Sequence, residues 1–96
     1  MPDRSISITD VRLYPGSWRD VRAGLLGYVQ FVIDGVIRVD GVTLRRTADG
    51  KPALSFPEKS YGPGAEFFYV RPVGDRARGE VERQVFAALG VEGTVA

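Results

Sequence analysis

The chain has 96 residues, 44% of them hydrophobic and 26% charged, with a formal net charge of +1. That is the composition of one small folded domain rather than a disordered or collagen-like chain, and at this size a partner subunit adds burial that the domain alone lacks. Cysteine and histidine are both absent, which removes disulfides, zinc-finger ligation, thiol or Ser-His-Asp nucleophiles and imidazole bases.

In residues 5–14, Ile6 and Ile8 alternate with polar residues, and Val11 and Leu13 then alternate in the opposite phase. This predicts a strand with a bulge near Thr9-Asp10. Pro15-Gly16-Ser17 ends it, and the stretch to Asp20 reads as a polar turn or loop. Trp18 in that loop reads as a cap folded over the core, with stacking on a base or partner as the alternative. Residues 22–33 predict a long strand, with Ala23, Leu25, Val29, Phe31 and Ile33 on one face and Leu26, Tyr28 and Val32 on the other. Both faces are apolar, so both ask for cover, the second from another subunit. Gly24 and Gly27 suggest bulges or close backbone approach within it.

Asp34-Gly35 is a short hairpin signal, because both residues tolerate positive φ. The returning strand, Val36 to about Thr47, carries Ile37, Val39, Val42 and Leu44, with Asp40-Gly41 a bulge or a second turn. Residues 48–51 form another turn, and Pro52 to Phe56 a strand that Pro57 closes. Lys59 to Gly64 reads as an irregular exposed loop, and Glu66 to Arg71, with Phe67, Phe68, Tyr69 and Val70, as a last strand. Asp75 is the expected N-cap of the one predicted helix, with Ala77, Val81, Val85, Ala88 and Leu89 at helical spacing and Gly90 as its C′ residue. Gly79 in its first turn marks either a close approach or a frayed end, and residues 91–96 read as a loose tail. The expected architecture is a single α+β domain over residues 1–96, with its core at about 5–90: an antiparallel sheet of about five strands carrying one C-terminal helix.

Catalytic chemistry finds little material. Asp34, Asp40 and Asp49 each precede a glycine, the position of a turn former rather than of an acid-base or metal group, and no phosphate-binding glycine loop is present. No enzyme activity, metal or small-molecule cofactor is expected. The longest apolar runs fall far short of the roughly 20 residues that cross a bilayer, and Asp3 and Arg4 precede no signal-type apolar stretch. A cytoplasmic protein without a membrane partner is the expectation. Of the 13 basic residues 11 are arginine, whose planar fork suits phosphate. Arg38, Arg45, Arg46, Lys51, Lys59, Arg76, Arg78 and Arg83 are candidates for one basic face, with the helix N-terminus beside the last three, although Glu80 and Glu82 on the same helix offset them. Tyr61, with Phe67 or Tyr69, is a candidate for base stacking.

Thr9-Asp10-Val11-Arg12-Leu13, then Arg22-Ala23 opening a long strand, Asp34 at a hairpin tip, Leu44-Arg45 before Asp49-Gly50, Phe56-Pro57-Glu58-Lys59, and Arg78-Gly79-Glu80-Val81 with Val85 and Leu89 follow one another in order. This succession, over about residues 8–89, resembles the SpoVG (stage V sporulation protein G, septation regulator) family of bacteria. The hairpin arm is longer than that family's, Arg45-Arg46 stands where one arginine is usual, and the loop from Tyr61 is richer in glycine. The resemblance implies a SpoVG-like homodimer formed through the sheet, at strands 2 and 3, that binds DNA, and in some members RNA, in gene regulation. It transfers nucleic-acid contact to Arg78, with Lys59 and Arg45 at matching positions; Arg76 and Arg83 join them by proximity, and Arg46 as the second arginine of its pair. Arg45 has an alternative role, pairing with Asp10 or Asp49. The alternative function is a protein-interaction module without nucleic acid, which the near-neutral charge favours.

Overall fold

Asp34 and Gly35, at φ 52° and 71°, turn the chain back on itself between β2 (Leu25–Ile33) and β3 (Ile37–Arg46). Both central residues are left-handed, the geometry whose twist matches a right-twisted strand pair. The computed structural model describes residues 6–91. Ahead of the hairpin lie β1 (Ile8–Pro15) and a short helix α1 (Trp18–Arg22), and after it come β4 (Pro52–Ser55), β5 (Glu58–Ser60), β6 (Glu66–Phe68) and the long helix α2 (Asp75–Leu89). The four strands β1-β2-β3-β4 form one antiparallel sheet in that order, and β5 and β6 pair only with each other. The expected sheet of about five strands is therefore a sheet of four with a separate two-stranded ribbon.

Register follows from local irregularities. Asp10, at φ 50°, sits where the β1–β2 register shifts between Thr9 and Arg12, the expected bulge. Asp40-Gly41 is also a bulge rather than a turn: Val42 faces Val29 and Val39 faces Phe31, with Gly41 at φ 77° absorbing the extra residue. One long hairpin results. At Gly27 a Cβ would lie 2.6 Å from the Tyr14 carbonyl oxygen and 2.9 Å from Leu13 Cδ1, so the close approach of β1 to β2 there requires glycine.

Five local expectations differ from the structure. Residues 18–22 are helix, not loop, because Ser17 and Asp20 form a reciprocal capping box: the Ser17 hydroxyl accepts from Asp20 N–H, and Asp20 accepts from Ser17 N–H at 3.0 Å. The long strand accordingly starts at Leu25, not Arg22. Glu58–Ser60 is a strand because Lys59 pairs with Phe67, and its partner β6 ends at Phe68 rather than continuing to Arg71. Gly74 rather than Asp75 is the N-cap of α2, while Gly90, at φ 72°, ends the helix as expected.

The core forms between the inner face of the sheet and α2. Val29, Phe31, Val39, Val42, Leu44, Leu54 and Phe56 meet Val81, Val85 and Phe86. Phe86 belongs to this face and Ala88 does not, being exposed. Val91 packs against the core and donates to the Phe86 carbonyl at 2.9 Å, so it is no loose tail; the rest of that expected tail, residues 92–96, lies outside the described residues, as does Ser5. Gly79 is exposed, with open space where a Cβ would go.

α2 also grips the sheet by its margins. Gln84 accepts from Ile8 N–H at 2.9 Å and donates to the Ile6 carbonyl at 2.8 Å, on the β1 side. On the β4 side, Glu82 accepts from Leu54 N–H at 3.0 Å and Arg78 donates to the Leu54 carbonyl. Leu54 lies opposite Leu44 in the ladder, and these side chains take up both of its outward-facing backbone groups.

Candidate nucleic-acid interface

The predicted basic residues do not share one face. Arg78 lies 3.7 Å from Glu82, bonds the Leu54 carbonyl and stands 6.0 Å from the Phe56 ring centre, so it is a clasp between helix and sheet. Arg83 is held by Glu80 through two bonds, at 3.0 and 2.5 Å. That pairing, with a further bond from Gln84, brings the Glu80 carboxyl down to about 2 and raises the Arg83 guanidinium. Arg76 is exposed on the first turn of α2. Arg38 reaches across the outer face of the sheet to Asp10 at 2.7 Å and Gln30 at 3.0 Å, and Arg12 bonds the same Asp10 at 3.1 Å. Asp10 is held below the usual carboxylate range by these two arginines, Arg38 contributing most.

Arg45 and Arg46 behave differently. Neither pairs with a carboxylate among the described residues, and the alternative role of Arg45 finds no partner: Asp10 is taken by Arg12 and Arg38, and Asp49 accepts from the Thr47 hydroxyl and faces Lys51 at 4.0 Å. Arg45 lies opposite Leu25, and Arg46 donates its N–H to the Gly24 carbonyl at 2.8 Å. That bond draws the end of β3 against the chain leaving α1. α1 brings Trp18, Arg19 and Arg22. Trp18 is 64% exposed and does not cap the core; the guanidiniums of Arg19 and Arg22 stand 5.3 and 5.8 Å from its ring centre. This end of the sheet thus gathers Arg19, Arg22, Arg45 and Arg46 from α1 and β3, none of them neutralised by a carboxylate among the described residues. Arg19 and Arg22 go unnoticed as site residues when the stretch to Asp20 is read as loop and Arg22 as the start of a strand, and Trp18 enters only as a core cap or a stacking residue; the Ser17-x-x-Asp20 capping signature is the signal that finds the helix carrying all three.

Lys59 lies on the β5–β6 ribbon with Tyr61, Phe67 and Tyr69, all three rings exposed. At the start of α2, an open groove of about 830 Å³ runs between segment 70–74 and the sheet, lined by Phe31, Val39 and Phe56, with Val73 almost wholly in solvent. The outer face of the sheet carries Tyr14 opposite Tyr28, each about half exposed, so among the described residues the second face of β2 is only partly covered. Among the described residues no group of three or more acids is placed to hold a metal ion, and no helix is long and apolar enough to cross a membrane. Compared with family models and with curated proteins, the chain matches none.

Proposed function

We propose that this protein is a non-enzymatic, cytoplasmic regulator that binds DNA or RNA as a homodimer, the role that the SpoVG resemblance implies. The observation that carries this reading is the placement of Arg19, Arg22, Arg45 and Arg46 at one end of the sheet, none of them ion-paired with a carboxylate among the described residues. Cations left without an internal partner are the ones that release counterions when they meet phosphates. The contact is moved from the α2 arginines to α1 and the end of β3, because Arg78 and Arg83 are spent on Leu54, Glu82 and Glu80. The half-exposed Tyr14–Tyr28 pair supports the dimer. β2 and β3 are interior strands, so a dimer at these strands joins face to face rather than edge to edge. Two copies then present two basic ends to one nucleic acid.

The test is fluorescence anisotropy with short labelled duplex DNA, single-stranded DNA and RNA at about 50 and 200 mM salt. With about 4–6 phosphates neutralised per complex, log affinity falls against log salt with a slope near −0.9 per phosphate on duplex and −0.7 on single strands. Replacing Arg45 and Arg46 together by alanine flattens that slope by about two contacts' worth per chain. A flat salt response in the wild type, or a double variant with the wild-type slope, overturns the proposal. The groove beside Val73 favours a second reading, a protein-interaction module; binding to none of the three probes at low salt selects it.

A further inference from the structure

We infer that the β5–β6 ribbon is a base-stacking platform that selects single-stranded nucleic acid, an inference that rests on the function proposed above. Strand alternation sorts the ribbon into two unlike faces. Lys59 pairs with Phe67, and Tyr61 and Tyr69 follow on the same side, so one face holds three aromatic rings and one cation. Glu58, Ser60, Glu66 and Phe68 fall on the other, where Glu58 faces Phe68 and Ser60 faces Glu66. Phe68 turns into the core, which fixes the orientation of the ribbon and directs the aromatic face outward. Both acids of the ribbon are thereby excluded from the face that carries the rings.

The rings form a connected row. Tyr61 and Phe67 are stacked with centres 5.2 Å apart, and Phe67 meets Tyr69 edge-on at 6.2 Å. Lys59 Nζ stands 5.7 Å from the Tyr61 ring centre. Cross-strand aromatic pairs do stabilise a two-stranded ribbon, yet Tyr61 and Tyr69 each leave 65% of their surface in water and Phe67 leaves 48%. A row of exposed rings flanked by a cation and free of carboxylates complements a strand whose bases are unpaired and whose backbone is anionic. Duplex DNA offers no free base faces to such a row. The chemistry therefore selects single-stranded DNA or RNA, with the basic end at α1 holding phosphates further along.

The test compares labelled oligothymidylate, oligouridylate and a duplex on the full-length wild type and on Tyr61→Leu, Phe67→Leu and Tyr69→Leu, which keep apolar bulk and remove the π-face. Each variant is expected to bind the single strands roughly 5- to 150-fold more weakly, with duplex affinity changed by less than about twofold. Photocrosslinking of wild-type protein to 5-iodouracil oligonucleotides gives an answer that depends on no variant's folding, with adducts expected at Tyr61, Phe67 or Tyr69. Duplex bound in preference to single strands, ribbon variants binding like wild type, or adducts confined to other residues overturns the platform and leaves the nucleic-acid reading standing. A wild type that binds no probe overturns both.

Discussion

Replacing Glu82 by alanine strips Leu54 N–H of its acceptor and Arg78 of its carboxylate in one step. Leu54 is fully buried and Glu82 keeps only 21% of its side chain exposed, so the lost bond is a partly desolvated, charge-assisted one. Such a bond contributes about 1.5–3 kcal/mol, and the i,i+4 pair with Arg78 adds about 0.3–0.5 kcal/mol, for a total of about 2–3.5 kcal/mol. In a domain of this size that lowers the melting midpoint by about 10–25 °C. Circular dichroism melts at neutral pH measure it, with Glu80→Ala as the internal control. Glu80 lies two residues away and bonds Gln84 and the more exposed Arg83 without meeting a buried backbone group, so its removal shifts the midpoint less than that of Glu82. Glu82→Gln, which keeps a neutral acceptor, falls between Glu82→Ala and wild type. A Glu82→Ala midpoint within a few degrees of wild type, or below no more than that of Glu80→Ala, refutes the clasp. The same logic decides the role of Arg78: Arg78→Ala lowers stability through the Leu54 carbonyl, and a variant of wild-type stability that loses nucleic-acid affinity returns Arg78 to the binding surface.

Further outcomes follow from the same geometry. Glycine to alanine has opposite signs at two sites: Gly79→Ala, exposed and unobstructed in α2, raises stability by about 0.5–1 kcal/mol, whereas Gly27→Ala, against the Tyr14 carbonyl, lowers it by about 1–3 kcal/mol, both read from denaturant midpoints. Glu80 is held at about 2 by Arg83, then by Gln84, against an ordinary 4.5; its folded value is depressed, so its contribution is complete above 4.5 and is lost as pH falls towards 2. Melting midpoints decline across that window, and the decline is shallower in Glu80→Gln. Trp18 is the single tryptophan and stands among the basic residues at α1, so its fluorescence changes on titration with oligonucleotide; an unchanged signal under saturating ligand removes α1 from the interface.

The turns and bulges were the legible part of the fold. Asp34-Gly35, Asp40-Gly41 and Asp49-Gly50 announce themselves because positive φ at Asp34, Gly35, Gly41 and Gly50 is a local demand that few residues meet. The reversal of hydrophobic phase after Ile8 likewise locates the bulge at Asp10, since a change of face within one strand needs an extra residue. Partner choice is not local. Nothing in Glu58–Ser60 or Glu66–Phe68 says that these strands pair with each other rather than joining β1–β4. For the site, composition flags arginine, but which arginines are spoken for depends on contacts distant in sequence: Arg78 on Leu54 at a separation of 24 residues, and Arg38 on Asp10 at 28. Glu80 and Glu82 already announce that the helix arginines have acids beside them, but that Arg78 also reaches Leu54 is a long-range fact, and Arg19 and Arg22 stay hidden because a five-residue helix has almost no periodicity to display.

The grip of α2 on both margins of the sheet ties the safety of this protein to the order in which it is made. Backbone groups that Gln84 and Glu82 will occupy belong to Ile8 and Leu54, which are synthesised 76 and 28 residues earlier. Until α2 has emerged from the ribosome, the nascent sheet has two open borders able to recruit strands from neighbouring chains. Any transcript or protease cut that ends the chain before Asp75 leaves that state permanent. A truncated product is then a seed for aggregation rather than a smaller working domain.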